Sequence, residues 1–143
     1  MTSEEETRLH ASCVAWDGRG VLILGQSGRG KSALSLALMA FGCDLVADDQ
    51  VCLQAQAGQL RATAPETLKD MIEARGIGIL QAKAIDAAQL HLVVDLDQTE
   101  SERMPQRREI TLLRCTLPLI WRVDAPHFAP AILQILKAGW SDR

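Results

Sequence analysis

Residues 25–32 read Gly25-Gln26-Ser27-Gly28-Arg29-Gly30-Lys31-Ser32 and satisfy G-x-x-x-x-G-K-[ST] at every fixed position. No other stretch limits the fold as tightly, because this motif works only between a buried strand and a helix. Both flanks are present. Val21-Leu22-Ile23-Leu24 is a continuous apolar run suited to a central strand buried on both faces. After the loop, Leu34, Leu38 and Phe41 recur at helical spacing with Ala33 and Ala37 on the inner side, and Gly42 is placed to end the helix. The glycines let the backbone turn and bring its N–H groups close to phosphate oxygens. The helix points its positive end at the same anion. Lys31 is spaced to reach the β- and γ-phosphates and the Ser32 hydroxyl to ligate magnesium.

The rest of the chain reads as strands alternating with helices. A strand is expected over His10–Trp16, a turn at Asp17–Gly20, and a second buried strand at Leu45-Val46-Ala47. Val51–Gln54 and Gln59–Thr63 form a hairpin around Gly58, and Pro65–Glu73 reads as a short helix with proline near its first turn. Loop then strand is expected over 75–80, strands over Leu90–Leu96, Ile110–Leu113 and Leu117–Val123, and a terminal helix over Phe128–Ala138 with Ile132, Ile135 and Leu136 inward. Residues 1–8 read as a flexible polar lead and Thr99–Arg108 as a mobile charged loop. The result is an α/β fold with a mixed sheet. At 143 residues the chain suits a single domain spanning 1–143 and is too short for an eight-stranded TIM barrel of about 250 residues.

Composition narrows the function. Eighteen acidic against fifteen basic residues give a net charge of −3, which argues against a protein built to grip nucleic acid. No apolar run approaches the ~18 residues of a membrane span. Met1-Thr2-Ser3-Glu4-Glu5-Glu6 lacks the basic and apolar regions of a signal peptide, so a cytoplasmic location is expected. Cys13, Cys43, Cys52 and Cys115 show no C-x-x-C spacing and are expected as reduced thiols.

A phosphate loop needs an acid for magnesium, commonly at the end of another buried strand. Two places offer one: Leu45-Val46-Ala47-Asp48-Asp49 and Leu92-Val93-Val94-Asp95. Pattern alone does not choose between them. The adjacent pair Asp48 and Asp49 allows one carboxylate to hold metal and the other to act as a base. No N-K-x-D guanine-reading motif is present.

His10, Gly18–Ile23, Gly25–Ser32, Leu45–Asp49 and Ile72-Glu73-Ala74-Arg75-Gly76-Ile77-Gly78-Ile79 fall in one order. That order resembles the C-terminal catalytic domain of bacterial HPr kinase/phosphorylase. The V-A-D-D and I-E-x-R-G-x-G-I segments are its specific part. The resemblance implies a phosphoenolpyruvate carboxykinase-like fold and ATP-dependent phosphorylation of a serine on HPr, the small carrier of the phosphotransferase system. It implies Lys31 as phosphate-binding lysine, Ser32 as magnesium ligand, and Asp48 and Asp49 as the acidic pair that includes the base, with Asp49 favoured. Glu73 matches a second metal-associated acid, Arg75 its neighbouring arginine and His10 the active-site histidine. Arg103 corresponds to an arginine in a mobile loop that reads D-R-x-G in the family, with Pro105 in place of the glycine.

The chain also departs from that family. The usual N-terminal domain is not seen, and Trp121–Phe128 stands where the family carries P-V-x-x-G-R-N, a stretch linked to phosphorolysis. The expectation is a short form with kinase chemistry, ATP and Mg²⁺ as cofactors, an HPr-like protein as partner and a doubtful phosphorylase activity. The resembled family forms hexamers, which makes a homo-oligomer possible, yet a short form without the N-terminal domain need not assemble so, and the oligomeric state is left open. The alternative is a non-catalytic ATP-binding regulatory module acting through protein contacts.

Overall fold

The computed structural model describes residues 5–141. Eleven strands and two α-helices are found among them: β1 (Glu5–Leu9), β2 (Ala11–Trp16), β3 (Arg19–Leu24), α1 (Lys31–Ala40), β4 (Asp44–Ala47), β5 (Val51–Gln56), β6 (Gln59–Thr63), β7 (Met71–Ala74), β8 (Gly78–Gln81), β9 (Ala88–Thr99), β10 (Arg108–Leu112), β11 (Cys115–Arg122) and α2 (Phe128–Ala138). Nine strands form one mixed sheet. Its main path runs β1-β5-β6-β9-β3-β2-β4, and the β10–β11 hairpin joins through β11 against β9. β7 and β8 form a separate two-stranded sheet.

The continuous apolar run of β3 is explained by its neighbours, since β2 pairs with it on one side and β9 on the other. Its side chains alternate between two cores, as strand geometry requires. Val21 and Ile23 pack with Leu34 and Leu38 of α1 and with Ile132, Leu133 and Leu136 of α2. Leu22 faces the opposite way and packs with Val51, Leu53, Leu60 and Val93, all from strands. One face of the sheet is thus covered by helices and the other by the sheet's own antiparallel wings. Truncating fully buried Leu22 to alanine would cost about 2–5 kcal/mol, because no nearby helix can slide in to refill the space. On α2, Leu133 is buried and Ile135 only half-buried, a rotation of one position from the inward face expected.

Helix α1 ends where Gly42 predicts. The Gly42 amide donates to the Met39 carbonyl at 3.0 Å and the Cys43 amide to the Leu38 carbonyl at 3.0 Å, with Gly42 at φ +107°. These paired bonds satisfy carbonyls that the helix itself leaves open.

Three expectations are corrected. Residues 5–8 are not a flexible lead: they belong to β1, paired antiparallel with β5 from Glu5 opposite Ala55 to Leu9 opposite Val51. Residues 1–4 lie outside the described residues. The Pro65–Glu73 segment is not a helix. It makes one 3₁₀ turn at Glu66–Leu68, passes through Asp70 at φ +66°, and becomes strand β7. The last strand before the charged loop runs to Thr99, so only 100–107 lack regular structure.

β4 is antiparallel to β2, and β2 to β3, so β4 runs parallel to β3. β9 and β11 are parallel to it as well. Four strands therefore present their C-terminal ends at one edge of the sheet, where open α/β sheets form their ligand crevices. Gly25–Ser32 emerges from the middle of that edge.

Candidate active site at the glycine-rich loop

The loop leaves β3 and enters α1 through Gly30, which sits at φ +96°. No side chain caps the helix there and no acidic residue lies in its first turn, so its free amides face the cleft. Lys31 is buried, and its ammonium folds back to donate to the Gly25 carbonyl at 2.6 Å. An anion in the loop would compete for this contact. A Cβ on Gly28 would lie 3.6 Å from Arg75 Nη2, so the Arg75 guanidinium overhangs the loop.

The acidic pair arrives by strand register. Cys13 of β2 pairs with Ala47 of β4, which sets residues 10–12 opposite Asp48 and Asp49. Asp48 is only 6% exposed. Ser12 Oγ and Ser32 Oγ each donate to its Oδ1 at 2.8 Å, and the Glu73 amide donates to its Oδ2 at 3.0 Å. Asp49 follows at φ +72°, a left-handed conformation that turns its side chain away from its neighbour's path. Its carboxylate is 60% exposed and lies 3.4 Å from His10 Nδ1. His10 Nε2 in turn lies 3.4 Å from Ser27 Oγ.

These groups line one cleft of about 520 Å³, to which the β7–β8 hairpin contributes Glu73, Arg75 and the exposed Ile77 and Ile79. Of the residues singled out in the sequence, His10, Ser27, Gly28, Gly30, Lys31, Ser32, Asp48, Asp49, Glu73 and Arg75 are brought together there. Gly25 takes part through its carbonyl. Gln26 and Arg29 face the other way: the Gln26 amide donates to Asp97 Oδ1 at 3.1 Å, and Arg29 Nε lies 3.4 Å from the same oxygen. Arg103 stands apart, exposed in the 100–107 segment and not among the cleft-lining residues. Of the two candidate acids, Asp48 meets Ser32, whereas Asp95 is occupied by the Asp97 amide at 2.9 Å.

Two residues were not visible to sequence reasoning. Ser12 looks like any small strand residue, and only the β2–β4 register shows that its hydroxyl braces Asp48. Asp97 holds the back of the loop from β9 and belongs to no motif. The cysteines stay outside the cleft, as free thiols. Burial pushes the Cys13 thiol well up, which keeps it protonated and inert.

Among the described residues no three His, Cys, Asp or Glu side chains cluster as a metal cage. The donor set present is the Ser32 hydroxyl beside the Asp48 carboxylate, with the Glu73 carboxylate in the same cleft. That set fits magnesium, which is usually held by one or two protein oxygens together with substrate phosphates.

The model of the HPr Serine kinase C-terminal domain matches residues 2–115. The HPr kinase/phosphorylase of Clostridium novyi is 40% identical over 105 residues, covering 68% of this chain and 34% of its own length. That of Aromatoleum aromaticum is 39% identical over 134 residues, covering 80% of this chain and 43% of its own. The chain thus spans about a third to just over two fifths of the length of these curated relatives. The solved structure of the Hpr(Ser) kinase/phosphatase from Coxiella burnetii superposes with a TM-score of 0.74 at 29% identity, covering 92% of this chain and 93% of that one. The large mixed sheet with few helices is therefore the fold of that kinase, and the chain belongs to the family of the HPr serine kinase C-terminal domain.

Proposed function

We propose that this chain is a protein-serine kinase domain that transfers the γ-phosphoryl group of ATP to a serine of an HPr-like phosphocarrier, and so regulates carbohydrate uptake by a phosphotransferase system. The observation that carries this reading is the split acidic pair. Asp48 is buried and accepts from Ser12, Ser32 and the Glu73 amide, which leaves room on Oδ2 for a metal, while Asp49 is open to solvent beside His10. Gly25–Ser32 is then a phosphate loop of the phosphoenolpyruvate carboxykinase type, within a single domain. We place the enzyme in the cytoplasm, with no nucleic-acid or membrane partner.

Asp49 accepts the proton of the substrate serine hydroxyl, which is a poor nucleophile until a base takes it. The serine oxygen bonds to the γ-phosphorus as the bond to the β–γ bridging oxygen breaks, and ADP leaves. His10 keeps the Asp49 carboxylate aligned. Lys31 exchanges its contact with the Gly25 carbonyl for the phosphates and offsets their charge, as Arg75 does from above the loop. Arg103 adds a further cation if the 100–107 segment closes over the bound protein. Ser32 and Asp48, with Glu73 beside them, would hold magnesium, which supplies positive charge to the phosphate oxygens. Phosphoryl transfer needs little else than such positioning and charge.

The test is transfer of labelled phosphate from ATP to purified HPr. Incorporation at a serine is expected. Tight ATP binding with no transfer would overturn the kinase reading and leave a nucleotide-binding regulatory module. Phosphorolysis is expected to be weak, because Trp121–Phe128 lacks the glycine-arginine pair of the family's stretch. Robust pyrophosphate formation from phospho-HPr would refute that.

A further inference from the structure

Strand β9 breaks its ladder where it passes the glycine-rich loop. Up to Asp95 it is in register on both sides, with Leu24 of β3 and Trp121 of β11 opposite that residue. The next residue of β11, Arg122, lies opposite Thr99, so Leu96, Asp97 and Gln98 bulge out of the register. A bulge beside a functional loop re-aims the side chains it carries. Two of them meet the loop here. Leu96 is buried, and a Cβ on Gly25 would come within 3.2 Å of the Leu96 Cβ, so the loop backbone lies directly on it. Asp97 Oδ1 accepts from the Gln26 amide at 3.1 Å, and Arg29 Nε lies 3.4 Å from the same oxygen. The Asp97 amide donates to Asp95 Oδ1 at 2.9 Å, which holds the bulge in shape.

We propose that Asp97 is a positioning residue for phosphate binding. Its Oδ1, carried by the β9 bulge, sets the first half of Gly25–Ser32 in the shape that receives phosphate before a ligand arrives. The proposal rests on the reading of Gly25–Ser32 as a phosphate loop and deepens it with a residue outside the motif.

The charge of Asp97 argues for a geometric role. A carboxylate behind a phosphate site opposes the ligand by its sign, so it does not serve there as an attractive group. Its ion pair with Arg29 is half-exposed, and such pairs contribute little. Nor does it join the acids facing Ser32, since it is not among the residues that line the acidic cleft. What it does hold is a backbone that is otherwise free to swivel. Gly25, Gly28 and Gly30 all lie in this loop, and glycine loses more freedom on being fixed than any other residue. Gln26 is pinned at both of its backbone groups, its amide by Asp97 and its carbonyl by the Arg29 amide at 3.1 Å. A loop ordered in advance spares the ligand the cost of ordering it. An acceptor on a strand-borne bulge, seated over buried Leu96, is firmer than one on the loop itself.

Calorimetric titration of the whole chain with pyrophosphate and, separately, with ATP tests this, comparing the wild type with Asp97→Ala and Asp97→Asn. Asparagine keeps a carbonyl oxygen for the Gln26 amide and loses only the charge, whereas alanine loses both. Asp97→Ala is expected to weaken both ligands alike, by about tenfold. Asp97→Asn is expected to stay within about threefold of the wild type. A general loss of stability would lower the thermal midpoint without producing this split in affinity. Wild-type affinity in Asp97→Ala overturns the proposal. So does an Asp97→Asn variant as weak as Asp97→Ala, because the charge facing Arg29 would then matter and the acceptor would not. A wild type that binds neither ligand refutes the phosphate-loop reading itself and this proposal with it. If Asp97→Ala does not fold, hydrogen exchange at the Gln26 amide of the ligand-free wild type decides. Exchange slowed by about tenfold or more relative to an unstructured peptide supports the proposal, and exchange at the unstructured rate overturns it.

Discussion

The corner around Asp48 and the rim around Asp49 are one peptide bond apart, yet the first is closed by three donors and the second faces solvent across from His10. The difference is made by the backbone. β4 ends at Ala47, Asp48 still points inward as a strand residue would, and the left-handed turn at Asp49 throws the next side chain outward. Two identical carboxylates thus receive different surroundings from one change of dihedral angle. A buried carboxylate gripped by three donors holds geometry, and an exposed one with most of its lone pairs open can take a proton.

The largest expected effect lies at the rim. Asp49→Asn should lower the rate of phosphoryl transfer to HPr by about 10²–10⁴-fold, the range for loss of a general base. Asparagine tolerates a left-handed conformation, so the thermal midpoint should hardly move and ATP binding should persist. Rapid transfer by this variant would erase the contrast between the two carboxylates. The corner should answer in the opposite currency. Asp48→Ala strands the buried Ser12 hydroxyl and the Glu73 amide, at a cost of about 2–4 kcal/mol. A thermal midpoint lower by roughly 5–15 °C is expected. A smaller effect separates backbone from carboxylate: Asp49→Ala should cost about 1 kcal/mol more than Asp49→Asn, because alanine pays the steric penalty of φ +72°. Chemical denaturation of the two variants side by side measures it.

What the residues announced in advance divides along the same line. Gly25–Ser32 and Asp48-Asp49 are contiguous, so both stand out as candidates without knowledge of the fold, and the fold brings them into one cleft. Ser12 and Asp97 act across the sheet, and their roles exist only through register. β1 escaped notice because Glu5, Glu6 and Arg8 have no apolar alternation. It is an edge strand held by pairing with β5, and its charges keep the edge from further pairing. β7 was hidden behind Pro65, whose proline-led start looks helical. The left-handed Asp70 ends that turn, and the Ile72 and Ala74 side chains then alternate into the core on a hairpin with β8. Local helix signals lost there to burial of one face of a strand.

Glu100 offers a third carboxylate on which the rule can be sharpened. Its side chain is 8% exposed and accepts from Arg108 Nη2 at 3.1 Å, while the Ser101 and Glu102 amides donate to its Oε2 at 3.1 and 3.2 Å. Arg108 itself lies over the Trp121 ring, 3.4 Å from the centroid. Burial alone would raise the Glu100 carboxyl, but the Glu102 amide, Arg108 and the Ser101 amide together outweigh it and hold it below the ordinary 4.5. A carboxyl lowered in the folded state contributes stability that is present above its unfolded value and lost as pH falls through the folded one. Glu100 should therefore support the fold at neutral pH and lose that support progressively as pH falls below about 4.5. Glu100→Gln should lower the thermal midpoint slightly at pH 7 and make its decline between pH 5 and pH 3 shallower than in the wild type. Parallel declines for the two proteins would mean that the donors around Glu100 do not bind its charged form more tightly than water does. Saturation by donors would then be a poor guide to which carboxylates hold this fold together, Asp48 included.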